Sequence, residues 1–258
     1  MLKTECSIGQ GFGGNATETY RNGGLLGHCG YDNNCGYGTP IHSYWKSEYV
    51  YKILDVEHPA NDGSGFTGVF TIVDNGIECF EFLYGHCTPS ATVGQILTIG
   101  TVIGTEANHG EVYVGQERIT LEMQKAGDKR GSHRHDQKRV LRKDKVLRNN
   151  TQYLADRNGR LYYNGYYYAI PYYKNGYNGC VNWLLPIFNR TLTMGMSGYD
   201  VTCLQNILKN GGYFTGDTTD FFGPKTIASV MAFQKSNGLT PVSVVGPQTR
   251  QLLNNLIP

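Results

Sequence analysis

The chain has 258 residues, with 23 Lys and Arg against 21 Asp and Glu, and is 40% apolar and 17% charged. That balance excludes a disordered or fibrous protein, and the length accommodates one large domain or two ordinary ones. The 34 glycines and 19 tyrosines suit a turn-rich antiparallel β protein with polar-tipped aromatics better than a helical bundle.

The net charge of +2 conceals a basic stripe, because Lys129 to Arg148 holds nine Lys and Arg against Asp136 and Asp144. We expect a solvated strand and turn surface there, the alternative being a face for an anionic polymer such as cell-wall phosphate, nucleic acid or a membrane surface. Seven cysteines without any CxxC spacing argue against a disulfide scaffold or a four-thiolate zinc site. The N-terminus MLKTECSIGQGFGGN lacks the apolar core of a secretion signal, and no stretch approaches the roughly 18 apolar residues of a membrane span. The expectation is a chain made in the cytoplasm, not inserted in a membrane, with its thiols reduced and mostly buried.

In chain order, YVYKILDV, FTGVFTIVD, CFEFLYGH and ERITLEM read as strands of an antiparallel sheet, separated by Gly, Asn and Asp clusters. Tyr153 to Tyr177 holds nine tyrosines, and Asn-Gly at Asn158, Asn164 and Asn175 marks three turns and therefore short hairpins. Such a surface suits sugar or peptide binding, or the packing of a small irregular sheet.

After Asn189 the period becomes helical. Val201, Leu204, Ile207 and Leu208 share one face, Asp200 is a candidate N-cap, and Gly211 is a stop. Pro224 opens a second helix with Ile227, Val230 and Met231 on one face and Gly238 at its end, and VGPQTRQLLNNLIP opens a third in the same way. Gly-Pro-x-Thr occurs at Gly223–Thr226 and again at Gly246–Thr249. GMSGYDVTCLQNILKNGGY, FFGPKTIASVMAFQ and SVVGPQTRQLL together resemble the three-helix peptidoglycan-binding module appended to many cell-wall hydrolases.

GSHRHDQ carries His133 and His135 at strand spacing, so both imidazoles reach one site while Arg134 points away. One imidazole can bind a metal, and the other then lies just outside the coordination shell. A catalytic zinc takes three protein ligands and an open position. GLLGHCGYDNN supplies His28 and Asp32, four apart with glycines between. Taken singly, His28 with Asp32 reads equally as a surface ion pair and the histidine pair as strand decoration.

With YGHC adding His86, the order His-x3-Asp, Tyr-x-His, His-x-His resembles the lysostaphin-type zinc endopeptidases of bacterial cell walls. GYGTPIHS is similar to that family's Gly-Thr-Pro turn into a strand, and VGQILTIGTVIGTEANHG to its paired-glycine hairpin. The resemblance spans roughly residues 9–139. It implies His28, Asp32 and His135 as zinc ligands and His86 and His133 as the catalytic pair. Zn2+ would bring the pKa of water toward about 7, and the two histidines would move protons or steady an oxyanion.

Arg134 and Asp136 stand where the family carries an apolar residue and an aromatic, so the far face of the strand is expected to be exposed or ion-paired. Gly110 to His133 is longer than in the family, which implies an extra hairpin, EVYVGQERITLEMQKAGDKR, beside the groove. Cys29 and Cys87 each follow a candidate histidine, as conceivable thiolate ligands or nucleophiles that three N/O ligands make unnecessary. His42, His58 and His109 read as ordinary strand, loop and turn residues.

The expected fold is α+β: an antiparallel β-sheet peptidase domain at residues 1–150, a Tyr-rich hairpin or linker segment at 151–190, and a small all-α three-helix domain at 191–258. The function these resemblances imply is a monomeric zinc endopeptidase cutting peptide bonds of peptidoglycan, in a stem peptide or cross-bridge. Its C-terminal module would hold it on the wall, and it would act after release in the manner of a phage endolysin. The competing readings are a non-catalytic wall-binding or activating protein with a degenerate peptidase fold, and a nucleic-acid binder using the basic stripe.

Overall fold

The computed structural model describes residues 6–10, 12–14, 28–42, 50–61, 63, 65–98, 100–110, 112–143, 154–155, 161–163, 166–168, 180–182 and 185–257. It divides into two compact units, one of Met1–Asp74 with Cys79–Asn182, the other of Asn75–Glu78 with Trp183–Pro258. The expected α+β architecture is present: antiparallel sheet in the first unit, and a small set of helices in the second.

The centre of the first unit is an antiparallel run of β4 (Tyr51–Glu57), β5 (Gly68–Asp74), β6 (Cys79–Gly85) and β12 (Arg134–Lys143). Residues 68–73 of β5 and 80–85 of β6 are all buried, so both faces of these strands are covered. One face carries Val69, Val73, Phe80, Phe82 and Val140, and burying each such side chain contributes roughly 1.5–3 kcal/mol. Leu54, Phe70, Ile72, Leu83 and Leu141 form a second cluster.

β12 is the spine of the sheet. One edge pairs with β6, from His135 opposite Gly85 to Val140 opposite Phe80. The other edge takes three partners in succession: β2 (Tyr31–Asn34), β16 (Cys180–Val181) and β15 (Tyr166–Tyr168). β15 continues into β14 (Leu161–Tyr163) and β13 (Leu154–Ala155), an antiparallel meander made from the tyrosine-rich segment. The three Asn-Gly turns expected there lie outside the described residues.

A small second sheet runs β3 (Pro40–His42), β9 (Val102–Glu106), β7 (Cys87–Pro89). Here the sequence reading needs correction, because β8 (Ile96–Leu97) and β9 do not form a hairpin with each other. β8 pairs with β4 and β9 with β3 and β7, so the glycines at 94 and 100, both in the left-handed region, turn the chain from one sheet to the other.

The insertion does contain a hairpin, β10 (Val112–Val114) with β11 (Glu117–Ile119). ERITLEM, however, is a strand only in its first half. The Thr120 hydroxyl accepts from Met123 N and caps a short helix, α1 (Leu121–Lys125), overriding the alternating pattern.

Two further expectations fail in this unit. Cys6 and Cys35 form a disulfide, where seven reduced thiols were expected. Irregular spacing hid the pair, since it is the antiparallel register of β1 (Ser7–Gln10) on β2 that brings the two ends together. The expected solvated basic surface is present at exposed Lys129 and Arg130 and fails along the strand that follows. Lys138 is 4% exposed with its ammonium over the Phe80 ring, Arg134 is paired with buried Asp136, and Arg139 with buried Glu81.

The second unit packs α2 (Tyr199–Asn210), α3 (Pro224–Ser236) and α4 (Pro247–Asn255) around Leu192, Val201, Leu204, Leu208, Phe222, Val230, Phe233, Val245 and Leu253. Gly198, not Asp200, is the N-cap of α2, and the Asp200 carboxylate accepts from Arg190 and Val201 N. Met231 is exposed, because the core-facing positions of α3 are Thr226, Ser229, Val230, Phe233 and Gln234.

The Gly-Pro-x-Thr repeat has a shared physical role. Thr226 and Thr249 are buried and accept from Gln205 Nε2 and Gln234 Nε2 at 2.9 and 3.1 Å. Each glutamine also accepts a backbone N–H, Thr219 N on Gln205 and Val242 N on Gln234. Thus each buried amide in this core is satisfied by the protein itself, as burial demands.

Candidate metal centre

His28 precedes β2, Asp32 lies within it, and His135 lies near the start of β12, directly opposite Asp32 in the ladder. The antiparallel register therefore brings together residues that are 103 positions apart in the chain. His28 Nε2, Asp32 Oδ1 and His135 Nδ1 form a triangle with edges of 3.2, 2.9 and 2.9 Å. Ligands held about 2.0–2.2 Å from a tetrahedral zinc lie about 3.3 Å apart, so an outward adjustment of a few tenths of an ångström admits the ion. These three are the residues whose donor atoms converge in a way that can hold a metal, among the described residues.

The orientation of His135 is fixed from behind. Its Nε2 faces Gln137 Oε1 at 3.2 Å, and donation there leaves the Nδ1 lone pair for the centre. Gln137 follows His135 at the same period of two that joins His133 to His135, and that alternation is the signal by which sequence could have found it. Gly30 is required by proximity, because a Cβ there would lie 2.3 Å from Asp136 O and 2.9 Å from His135 Cε1.

Without a cation, the site favours protons. Burial opposes charge on His135, yet the Asp32 carboxylate and Cys29 outweigh it and lift the imidazole to about 10. Burial likewise works to raise Asp32, but hydrogen bonds from His135 and His28 and the charge of His133 hold its carboxyl well below the usual range. The Cys29 sulfur lies 3.9 Å from His135 Nε2, on the side of the ring away from the triangle, and so is not part of the donor set.

The two other histidines flank the triangle. The His133 and His86 ring centroids are 4.6 Å apart, and His133 Nε2 is 3.6 Å from Asp32 Oδ1. His133 Nδ1–H donates to Gly131 O at 2.8 Å and His86 Nδ1–H to His109 O at 2.6 Å, leaving both Nε2 atoms for other partners. His86 sits in the left-handed region at φ 55°, where a side chain other than glycine is strained. Its backbone is pinned there by His86 N to Thr67 O and Ala107 N to His86 O. Burial first, then the charge of His133, push His86 down to about 3, so its imidazole is neutral across the physiological range.

His109 thus serves through its backbone carbonyl, a part that residue type cannot reveal. All five candidate residues line one groove of about 1420 Å³. Phe66, Tyr113 and Val114 add apolar wall, the last two from the inserted hairpin, and Gln137 and Arg139 continue the β12 face. On the far face Arg134 and Asp136 are ion-paired at 2.6 Å, one of the two expected outcomes.

Comparison with known proteins bears on the other end of the chain. Residues 197–253 match the family described as "Putative peptidoglycan binding domain". An uncharacterised protein of Kitasatospora aureofaciens is 44% identical over 59 residues, covering 22% of this chain and 50% of that protein. A spore cortex-lytic enzyme of Bacillus cereus is 37% identical over 65 residues, covering 25% of each. The chain therefore spans between a quarter and a half of the length of these curated relatives.

The matched segment begins just before α2 and ends within α4, so it takes in most of the helical core and both glutamine–threonine pairs. The description of the matched family names peptidoglycan as what such a domain binds. Among the described residues no helix is long and apolar enough to cross a membrane.

Proposed function

We propose that the β unit, centred on residues 1–150, is a zinc-dependent endopeptidase that cuts peptide bonds of peptidoglycan and that the helical domain holds it on its substrate. The observation that carries this reading is the triangle of His28 Nε2, Asp32 Oδ1 and His135 Nδ1, with two further imidazoles beside it in an open groove. The similarity to a spore cortex-lytic enzyme supports a hydrolytic role on the wall.

His28, Asp32 and His135 would hold the ion, which when bound supplies Lewis acidity to a scissile carbonyl and makes water acidic enough to attack near neutral pH. His86, neutral through burial, is fitted to accept a proton at Nε2. His133 Nε2 lies beside Asp32 and is positioned to donate to a developing oxyanion or to the leaving amine. Phe66 and Tyr113 give the groove apolar surface against which a substrate can pack. Tethering by the helical domain raises the local concentration of wall peptide without new contacts at the centre.

Clearing of a peptidoglycan suspension tests the proposal. A chelator is expected to stop it, zinc to restore it, and His135→Ala to abolish it. Clearing that persists in His135→Ala would remove the zinc hypothesis.

A further inference from the structure

The groove contains thiol chemistry that peptide hydrolysis does not use. Cys29 lines the groove and is partly exposed, whereas Cys180, the first residue of β16, is fully buried. Both approach the same edge of β12. Tyr31 pairs with Asp136 and Cys180 with Arg139, so the chain running back from Tyr31 to Cys29 heads toward Cys180. Tyr31 Oη donates to Asn182 Oδ1 at 2.7 Å and ties the two segments together.

The two sulfurs contact the same acceptor, Gln137 Oε1, at 3.5 Å from Cys29 and 3.6 Å from Cys180. That oxygen is the one facing His135 Nε2 at 3.2 Å. Cys87, by contrast, donates to the Tyr84 carbonyl. The first unit already holds the Cys6–Cys35 disulfide, so thiol oxidation is compatible with its fold.

We propose that Cys29 and Cys180 form a thiol-oxidation site at which a hydroperoxide produces a reversible disulfide, removing both sulfur contacts from Gln137 and loosening its hold on His135. Cys29, open to the groove, attacks the peroxide oxygen. The O–O bond breaks, the alcohol or water leaves with the thiol proton, and a sulfenic acid remains. Cys180 sulfur then attacks the Cys29 sulfur, the S–O bond breaks, and water leaves with the second proton. Two thiols and one hydroperoxide thus give one disulfide, one alcohol or water, and one further water. The disulfide step is independent of the metal reading, whereas its effect through His135 rests on it.

The test exposes the full chain to hydrogen peroxide, alkylates it, digests it without reductant and maps the peptides by mass spectrometry. The expected result is a peptide pair joined through Cys29 and Cys180 that dithiothreitol separates. In Cys180→Ser, Cys29 is expected to stop at the sulfenic acid and be captured by dimedone. Recovery of both cysteines of the native chain unlinked, whether alkylated or with Cys29 driven to the sulfinic acid, overturns the proposal.

Zinc affinity of the same samples is expected to fall roughly 10–100-fold on oxidation, the range for loss of a partner that supports a ligand. An equal affinity in a chain that does cross-link overturns the coupling to His135. Reduced protein that binds no zinc overturns the metalloenzyme reading instead, and the linked peptides still decide the oxidation site.

Discussion

The two units treat buried polar groups in opposite ways. In the helical unit each buried glutamine amide finds its donors and acceptors within the domain, as Gln205 does with Phe221 O, Thr219 N and Thr226. In the β unit two imidazole nitrogens and a carboxylate oxygen are pressed together within 3.2 Å, an arrangement that a protein alone satisfies only by holding extra protons. The first is the economy of a fold, and the second is a donor set of the kind that could hold a metal ion. Local order of the polar pattern thus distinguishes a scaffold from a chemical centre even where both are buried.

The sharpest break of that contrast is Asp32→Asn. It removes the negative charge and keeps the shape, so zinc retention, measured by metal analysis after gel filtration, is expected to disappear. Clearing activity is expected to fall by about a thousandfold or more, the scale of losing a charged catalytic element. Melting of the helical unit should not change.

Gln234→Ala is the complementary break. It strands Val242 N, Val244 O and Thr249 Oγ1, of which Thr249 is buried, and at about 1–3 kcal/mol per buried orphan it is expected to unfold the helical unit at lower temperature. Calorimetry should show this while zinc affinity stays constant.

The pH dependence of the metal-free protein sharpens the contrast. His86 lies near 3 in the folded chain, below the roughly 6.5 of an unfolded chain, so protons bind the unfolded state more strongly. Its contribution is therefore fully present above about pH 6.5 and is lost as pH falls toward 3, amounting to a few kcal/mol. Denaturant titrations from neutral to acid pH are expected to show a shallower loss in His86→Gln than in the native chain. The smallest effect belongs to Met231→Lys. This position is exposed on α3, and its substitution is expected to alter stability by less than about 0.5 kcal/mol.

Much of the helical unit was legible because its signals are local. Val201, Leu204, Ile207 and Leu208 show their period within one helix, and Pro224 and Pro247 announce helix starts. Met231 was misread because a stripe of apolar residues does not reveal that Thr226 and Gln234 occupy the core instead. In the β unit the His28–Asp32 and His133–His135 pairs were visible as spacing, but their convergence depends on Asp32 lying opposite His135, and only the family resemblance implied it. The carbonyls of His109 and Gly131 and the Cβ-free approach at Gly30 are properties of backbone position, which residue type does not carry. The Cys6–Cys35 pairing and the separate destinations of β8 and β9 were hidden for the same reason.

The placement of β12 at the centre of four pairings restricts how such a chain can diverge. Inserting or deleting one residue just after His135 would reverse which side every later side chain faces, turning Gln137 and Arg139 away from the groove and Lys138 into it. Length change is tolerable only where the ladder has not begun, as in the 112–130 stretch whose hairpin and short helix already form one wall. New substrate preferences in relatives of this chain should therefore arise as remodelled walls around an unaltered floor.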